Sequence, residues 1–217
     1  MKKALYGIKP AGAAFRSLLA DTLSDLGYKP TKADPDAWLR PAVKADGFVY
    51  YEMVLCYVDD ILSISDDPKR SLLALTSTFK LKDDKIEEPE TYLGAKLDKM
   101  TVGGIECWTM SAEQYVNASV KNVEEALAKR GLRLPTKCYT PLSTDFHPEL
   151  ETSAELKSDG IQLYQELIGV LRWAVELGRL DILLEVALMS TYLAMPRQGH
   201  LQQVYRIFGY LYITNKL

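Results

Sequence analysis

Residues 48–65 constrain the fold of this chain more than any other stretch. Phe48–Val58 is apolar apart from Glu52. Asp59 and Asp60 follow, and Ile61–Ser65 is again largely apolar. So apolar a run reads as a strand buried on both faces. Two residues between two such runs is the spacing of a tight hairpin, which makes Asp59-Asp60 the expected loop. Asp46-Gly47, between Ala37–Val43 and Phe48–Val58, is a second hairpin signal. Three consecutive strands joined by short turns form an antiparallel sheet.

Helical patterns surround this sheet. Phe15, Leu19, Leu23 and Leu26 recur at helical spacing and predict a helix over about 11–27, ended by Gly27. Asp66, Asp67 and Pro68 open a second, over about 67–80, with acids at the positive end of its dipole. Thr91–Lys99 and Ile105–Met110 read as another hairpin around Gly103-Gly104. Beyond Met110 the pattern is helical only. Ser111 with Gln114 has the spacing of a capping box, and Val116, Val120, Val123 and Leu127 form a stripe behind it. Residues 131–160 are irregular. Three further stripes are Leu163, Leu167, Val170, Ala174 and Leu177; Ile182, Val186, Met189 and Leu193; and Leu201, Val204, Phe208 and Leu211. The chain therefore reads as α+β, a sheet-and-helix half at 1–110 and a helical half at 111–217.

At 217 residues with 47% apolar composition, the chain can bury a core without a disulfide or metal staple. No apolar run approaches the roughly 18 residues of a membrane span, and Met1–Phe15 lacks the apolar stretch of a secretory signal. Cys56, Cys107 and Cys138 are odd in number and widely spaced, which points to a reducing intracellular compartment and no structural zinc. The net charge of −3 excludes gripping nucleic acid by bulk charge, so any such contact must use local patches. Residues 1–16 carry Lys2, Lys3, Lys9 and Arg16 without an acid, and 119–140 carry five bases against two acids. Residues 59–90 and 145–160 are acidic. Asn117-Ala118-Ser119 has no secretory signal to make it a glycosylation site.

The chemistry concentrates at Tyr57-Val58-Asp59-Asp60. Neighbours on a strand point to opposite faces, so only a turn presents both carboxylates at one end of the sheet. Adjacent carboxylates repel, and a cation that neutralises both relieves this. Mg2+, with Mn2+ a possible substitute, prefers oxygen donors and commonly takes one or two carboxylates plus substrate phosphates. Read by residue type alone, Asp-Asp is also ordinary turn chemistry.

Tyr57-Val58-Asp59-Asp60-Ile61-Leu62 between apolar strands resembles the active-site hairpin of reverse transcriptases, and six further blocks resemble the copia-type retrotransposon enzymes in that family's order. Lys3–Lys9 (KALYGIK) is similar to the family's KALYGLK, and Ala33-Asp34-Pro35-Asp36 to its (S/A)DP turn. Tyr92-Leu93-Gly94 is similar to its primer-grip strand, and Tyr164–Gly169 with Leu171 to YR.LIG.L. Arg179-Leu180-Asp181-Ile182 is similar to RPDI. Pro196, His200 and Tyr210-Leu211 match the stretch before the ribonuclease H domain.

The resemblance implies a partial polymerase palm over 1–110 and a helical thumb and connection over 111–217. It implies RNA-directed DNA polymerase activity, with Asp59 and Asp60 as catalytic, metal-binding residues. Tyr6 and Gly7 would line the nucleotide pocket. Tyr57, Val58, Tyr92, Leu93 and Gly94 would lie along primer and template. Implied partners are an RNA or DNA template–primer, a dNTP, and the integrase and ribonuclease H of a Gag-Pol polyprotein. The family's third carboxylate lies upstream of KALYGLK, where this sequence has only Met1-Lys2. The QAPRAW stretch is Pro10-Ala11-Gly12-Ala13-Ala14-Phe15, and Leu180 replaces the proline of RPDI. The expectation is an N-terminally truncated polymerase that does not polymerise alone. The alternatives are a non-catalytic nucleic-acid-binding remnant, a degenerate reading frame with no role and, from another class, a magnesium phosphatase. Residue type favours strand core for Val58, core packing for Trp108, Trp173, Tyr115 and Phe208, and surface or capping roles for His147 and His200.

Overall fold

The computed structural model describes residues 9–80 and 85–215, so Tyr6 and Gly7 lie outside the described residues. The fold is α+β, with antiparallel sheets and, among the described residues, six α-helices. It forms two compact units, Met1–Tyr92 and Leu93–Leu217. The division falls at 92/93 rather than 110/111, because the second hairpin is tied by Ala95 into the helical core that holds Ala112 and Val116.

In the first unit, helix α1 (Lys9–Asp25) ends where Tyr28 N–H donates to Leu23 O and Gly27 N–H to Ser24 O, both at 2.9 Å, the paired bonds of a Schellman cap. The strands are β1 (Lys29–Pro30), β2 (Ala37–Val43), β3 (Val49–Tyr57) and β4 (Asp60–Ile64), paired in that order. Helix α2 (Pro68–Leu75) is N-capped by Asp67, whose carboxylate accepts from Arg70 N–H. It stops short of 80 because Thr76 and Ser77 turn their hydroxyls back onto Leu73 O and Ala74 O. A two-residue strand, β5 (Thr91–Tyr92), closes the unit.

Helices α1 and α2 pack Leu19, Leu23 and Leu75 against Trp38, Val54 and Cys56 on one face of the sheet. Strand β3 is therefore not buried on both faces. Its burial alternates, and Val49 and Tyr51 on the other face are 70% and 64% exposed. The polar exception in the run points inward. Glu52 is buried, directly opposite Arg40 across the β2–β3 ladder. It forms an ion pair with Arg40, whose Nε donates at 2.9 Å, and accepts from the Tyr28 hydroxyl at 3.2 Å. The Tyr28 phenol oxygen accepts from the Ser71 hydroxyl, and Arg40 donates to Leu26 O and stacks over the Tyr28 ring. One buried charge thus binds both helices to the sheet, and every oxygen it brings inside has a partner.

In the second unit, β6 (Ala95–Val102) and β7 (Ile105–Ser111) form a hairpin whose two loop residues, Gly103 and Gly104, have φ of +59° and +83°. Two positive φ values in succession are why glycine occupies both places. The expected strand from Thr91 is broken at Leu93, which has a φ of +53°. Helix α3 (Glu113–Ala128) starts without the expected capping box. Ser111 still belongs to β7, and its hydroxyl accepts from Glu113 N–H. Helices α4 (Ser158–Glu176), α5 (Leu183–Ser190) and α6 (Gln198–Thr214) complete a core with fully buried Tyr164, Leu171, Met189 and Phe208. The α4 stripe is rotated from the expected one, since Tyr164 and Ile168 are buried where Leu163 and Val170 are only partly so.

The irregular segment 135–156 runs antiparallel to α6 as a strap. Pro135 and Cys138 lie against Gly209, where a Cβ would collide with Pro135 O. Thr140 accepts from Arg206, Ser143 N–H donates to Gln203, and His200 Nε2 bonds Pro148 O at 3.0 Å. Ser153 O accepts from Arg197, and Leu156 N–H donates to Pro196 O. The contacts on α6 step by three residues, along one inclined ridge. His200 does take a capping role: it is buried, and its Nδ1 accepts from Arg197 N–H at the start of α6.

Candidate active site

Strands β3 and β4 pair Cys56 with Ile61 and Tyr57 with Asp60. The two loop residues are therefore Val58 and Asp59, one position earlier than Asp59-Asp60. Asp60 is the first residue of β4. Asp59 and Asp60 are both exposed, so the turn presents adjacent carboxylates to solvent at one end of the sheet. Val58 has a φ of +55°. This is the first central position of the hairpin, where mirror-type turns favour glycine. A β-branched side chain there is strained, at a cost of order 1–3 kcal/mol. Val58 is not strand core, being 71% exposed. Tyr57 is also exposed, so neither neighbour covers the acids.

A cleft of about 730 Å³ opens beside this turn. One wall is the α1 face that carries Phe15, Arg16 and Leu19. The other is Asp36 and the end of β3 at Cys56 and Tyr57, with Val58 at its edge. Arg16 Nε donates to Asp36 Oδ1 at 2.9 Å. Asp36 is itself held by its backbone, since its carbonyl accepts from Cys56 N–H at 3.0 Å and its N–H donates to Asp34 Oδ1 at 2.8 Å.

Tyr92 belongs to the same environment. Burial pushes its phenol up to about 12, helped by the negative potential of Cys56, Asp60 and Asp34. Burial likewise pushes the Cys56 thiol up to about 11. The structure thus gathers Tyr57, Val58, Asp59, Asp60 and Tyr92 in the first unit. Leu93 and Gly94 belong to the second. There Leu93 O accepts from the Trp173 indole, and Gly94 lies beside Tyr115 and Leu177. Trp108 departs from the core expectation, as it is 52% exposed on the β6–β7 hairpin with the Lys99 ammonium 4.8 Å from its ring centre. Phe208 is fully buried, as expected.

Two adjacent exposed carboxylates suit a hard divalent cation, which would complete its shell with water and ligand oxygens. Among the described residues no group of three or more His, Cys, Asp or Glu converges to form a complete metal cage. The donor set fits an open, two-carboxylate anchor.

Known proteins are similar to this chain over 97–98% of its length. The transposon Ty5-1 protein of Saccharomyces cerevisiae is 28% identical over 216 residues, covering 98% of this chain and 64% of the yeast protein. The similarity is to retrotransposon Pol polyproteins. The retrovirus-related Pol polyprotein from transposon RE1 of Arabidopsis thaliana is 28% identical over 214 residues, 97% of this chain and 13% of that protein. The corresponding polyprotein from transposon TNT 1-94 of Nicotiana tabacum is 26% identical over 217 residues, 97% of this chain and 15% of its own length. This chain is thus similar to part of each of these proteins, and it spans less than two thirds of each of them. No protein-family model and no solved structure matches it.

The sequence reading missed Arg16–Asp36 and the buried Glu52 network. Arg40 and Glu52 stand symmetrically about the 44–48 turn, so the hairpin signal and the lone acid together could have found the second. The first joins a helix to a turn 20 residues away, and no periodicity reports that.

Proposed function

We propose that this chain is the reverse-transcriptase region of a retrotransposon Pol polyprotein. The first unit is the later part of the palm, and the second carries the primer-grip glycine, the thumb and the connection. The observation that carries this reading is the β3–β4 hairpin, which holds Asp59 and Asp60 exposed at a strained turn between two apolar strands. The similarity to retrotransposon Pol polyproteins over 97% of the chain supports it.

In this reading Asp59 and Asp60 would hold Mg2+ or Mn2+, which would supply acidification of the primer 3′-hydroxyl and charge neutralisation at the pyrophosphate leaving group. The turn fixes the backbone of Asp59 and the β3–β4 ladder that of Asp60, so both carboxylates project from one defined end of the sheet. Tyr57 and Tyr92 flank the primer terminus, and Tyr6 and Gly7 line the dNTP. The template–primer is RNA or DNA, and the remaining polyprotein domains are the other partners. Asp59 and Asp60 are the paired carboxylates that the described residues present for this role.

Primer extension with purified protein in Mg2+ or Mn2+ tests this. The assay is run on the chain and on the complete polyprotein, and the expected result is that all incorporation depends on Asp59. Incorporation by the polyprotein that survives Asp59→Ala would refute the site. A second reading, a nucleic-acid-binding remnant without catalysis, draws on the absence of a converging third ligand among the described residues. It predicts salt-dependent template–primer binding that survives Asp59→Ala, and no extension in either context.

A further inference from the structure

We infer that Arg16 binds a backbone phosphate of the nucleic acid in the cleft beside the Asp59–Asp60 turn, and that Asp36 competes with that phosphate for the guanidinium. The inference rests on the reading of this region as a nucleic-acid polymerase. Among the described residues, and apart from Arg16 and Asp36, every residue lining the cleft is apolar, aromatic or a small hydroxyl. Any charged group that enters is therefore read by this pair. Two acids already stand exposed at the adjacent turn, so a polyanion passing it needs a cation nearby, and among the described residues Arg16 is the cation that lines the cleft.

The Arg16–Asp36 pair is suited to exchange. Arg16 is 60% exposed and Asp36 43%. An ion pair in water at such exposure is worth little, so giving it up costs little. Its recorded bond uses Nε and one carboxylate oxygen. A backbone phosphodiester carries the same single charge, and its two non-bridging oxygens offer the guanidinium a bidentate partner in place of one bond. Asp36 cannot withdraw far, because its carbonyl and N–H are both tied to neighbouring groups. Its carboxylate stays at the cleft and opposes the phosphate, so the pair sets the affinity.

Fluorescence anisotropy of a labelled template–primer on the full chain, across a salt series, tests this. Arg16→Gln should weaken binding about tenfold and lower the slope of log K against log salt by about one. Asp36→Asn should tighten binding, and that gain should vanish in the Arg16→Gln background. Both positions are exposed, and a melting curve for each variant checks that the fold is kept. If the wild-type chain binds but Arg16→Gln leaves the slope unchanged, the inference fails and the polymerase reading stands. If Asp36→Asn tightens binding equally without Arg16, Asp36 acts only by general repulsion and the competition is overturned. Competition by a dNTP that removes the Arg16 effect at once would assign the residue to free nucleotide rather than to the backbone. Failure of the wild-type chain to bind any nucleic acid would overturn both this inference and the reading beneath it.

Discussion

The two units bury charge and apolar surface in opposite ways. The first lays two helices on one sheet face, leaves Val49 and Tyr51 in solvent on the other, and puts a charged Glu52–Arg40 pair into its interior. The second closes a continuous apolar core around Tyr164, Leu171, Met189 and Phe208, and uses polar groups mainly to fasten a strap along α6. The candidate chemistry sits in the first, where the backbone is strained at Val58 and the acids are uncovered. A site that must admit substrate is held by a local network, whereas a supporting element can give all its surface to packing.

Substitutions can break this comparison. The largest effect should come from Phe208→Ala, at about 3–5 kcal/mol in denaturant unfolding, against less than about 0.5 kcal/mol for Val49→Ala. Equal losses would mean the two surfaces do not differ as described. Next, Arg40→Ala should cost roughly 3 kcal/mol, because it strands Glu52 in the interior, while Arg40→Met with Glu52→Leu should recover most of that. If the double substitution is as unstable as the single, the network does more than satisfy its own charge. Val58→Gly should then raise stability by about 1 kcal/mol by relieving the positive φ; a loss instead would show that the valine is not strained.

The smallest effect is a pH dependence in the second unit. The Arg179 guanidinium, bonded at 2.8 and 2.9 Å, holds the Asp181 carboxyl below its usual range. Its contribution is present above the unfolded value of about 3.9 and disappears as pH falls through the lower folded value. The carboxylate is 39% exposed, so the effect is at most about 1 kcal/mol. The melting gap between wild type and Asp181→Asn should be full near neutrality and close progressively in acid. A gap that ignores pH would remove Asp181 from the account.

Much of this molecule is legible along the chain, and the reason is local. The β2–β3 hairpin, the burial of Val116, Val120, Val123 and Leu127, and the exposure of Asp59 and Asp60 follow from turn residues and from periodicities of two and 3.6, which act over a few neighbours. A misplacement by one residue at the β3–β4 loop arises because a positive φ at a β-branched residue carries no sequence signal. Packing chose which face of β3 would be covered, which of two adjacent stripes on α4 would turn inward, and where residues 135–156 would lie. Those outcomes depend on surfaces brought together from distant parts of the chain. A lone glutamate in a greasy strand, or an arginine one turn into a helix, acquires its meaning only when a partner many residues away arrives beside it.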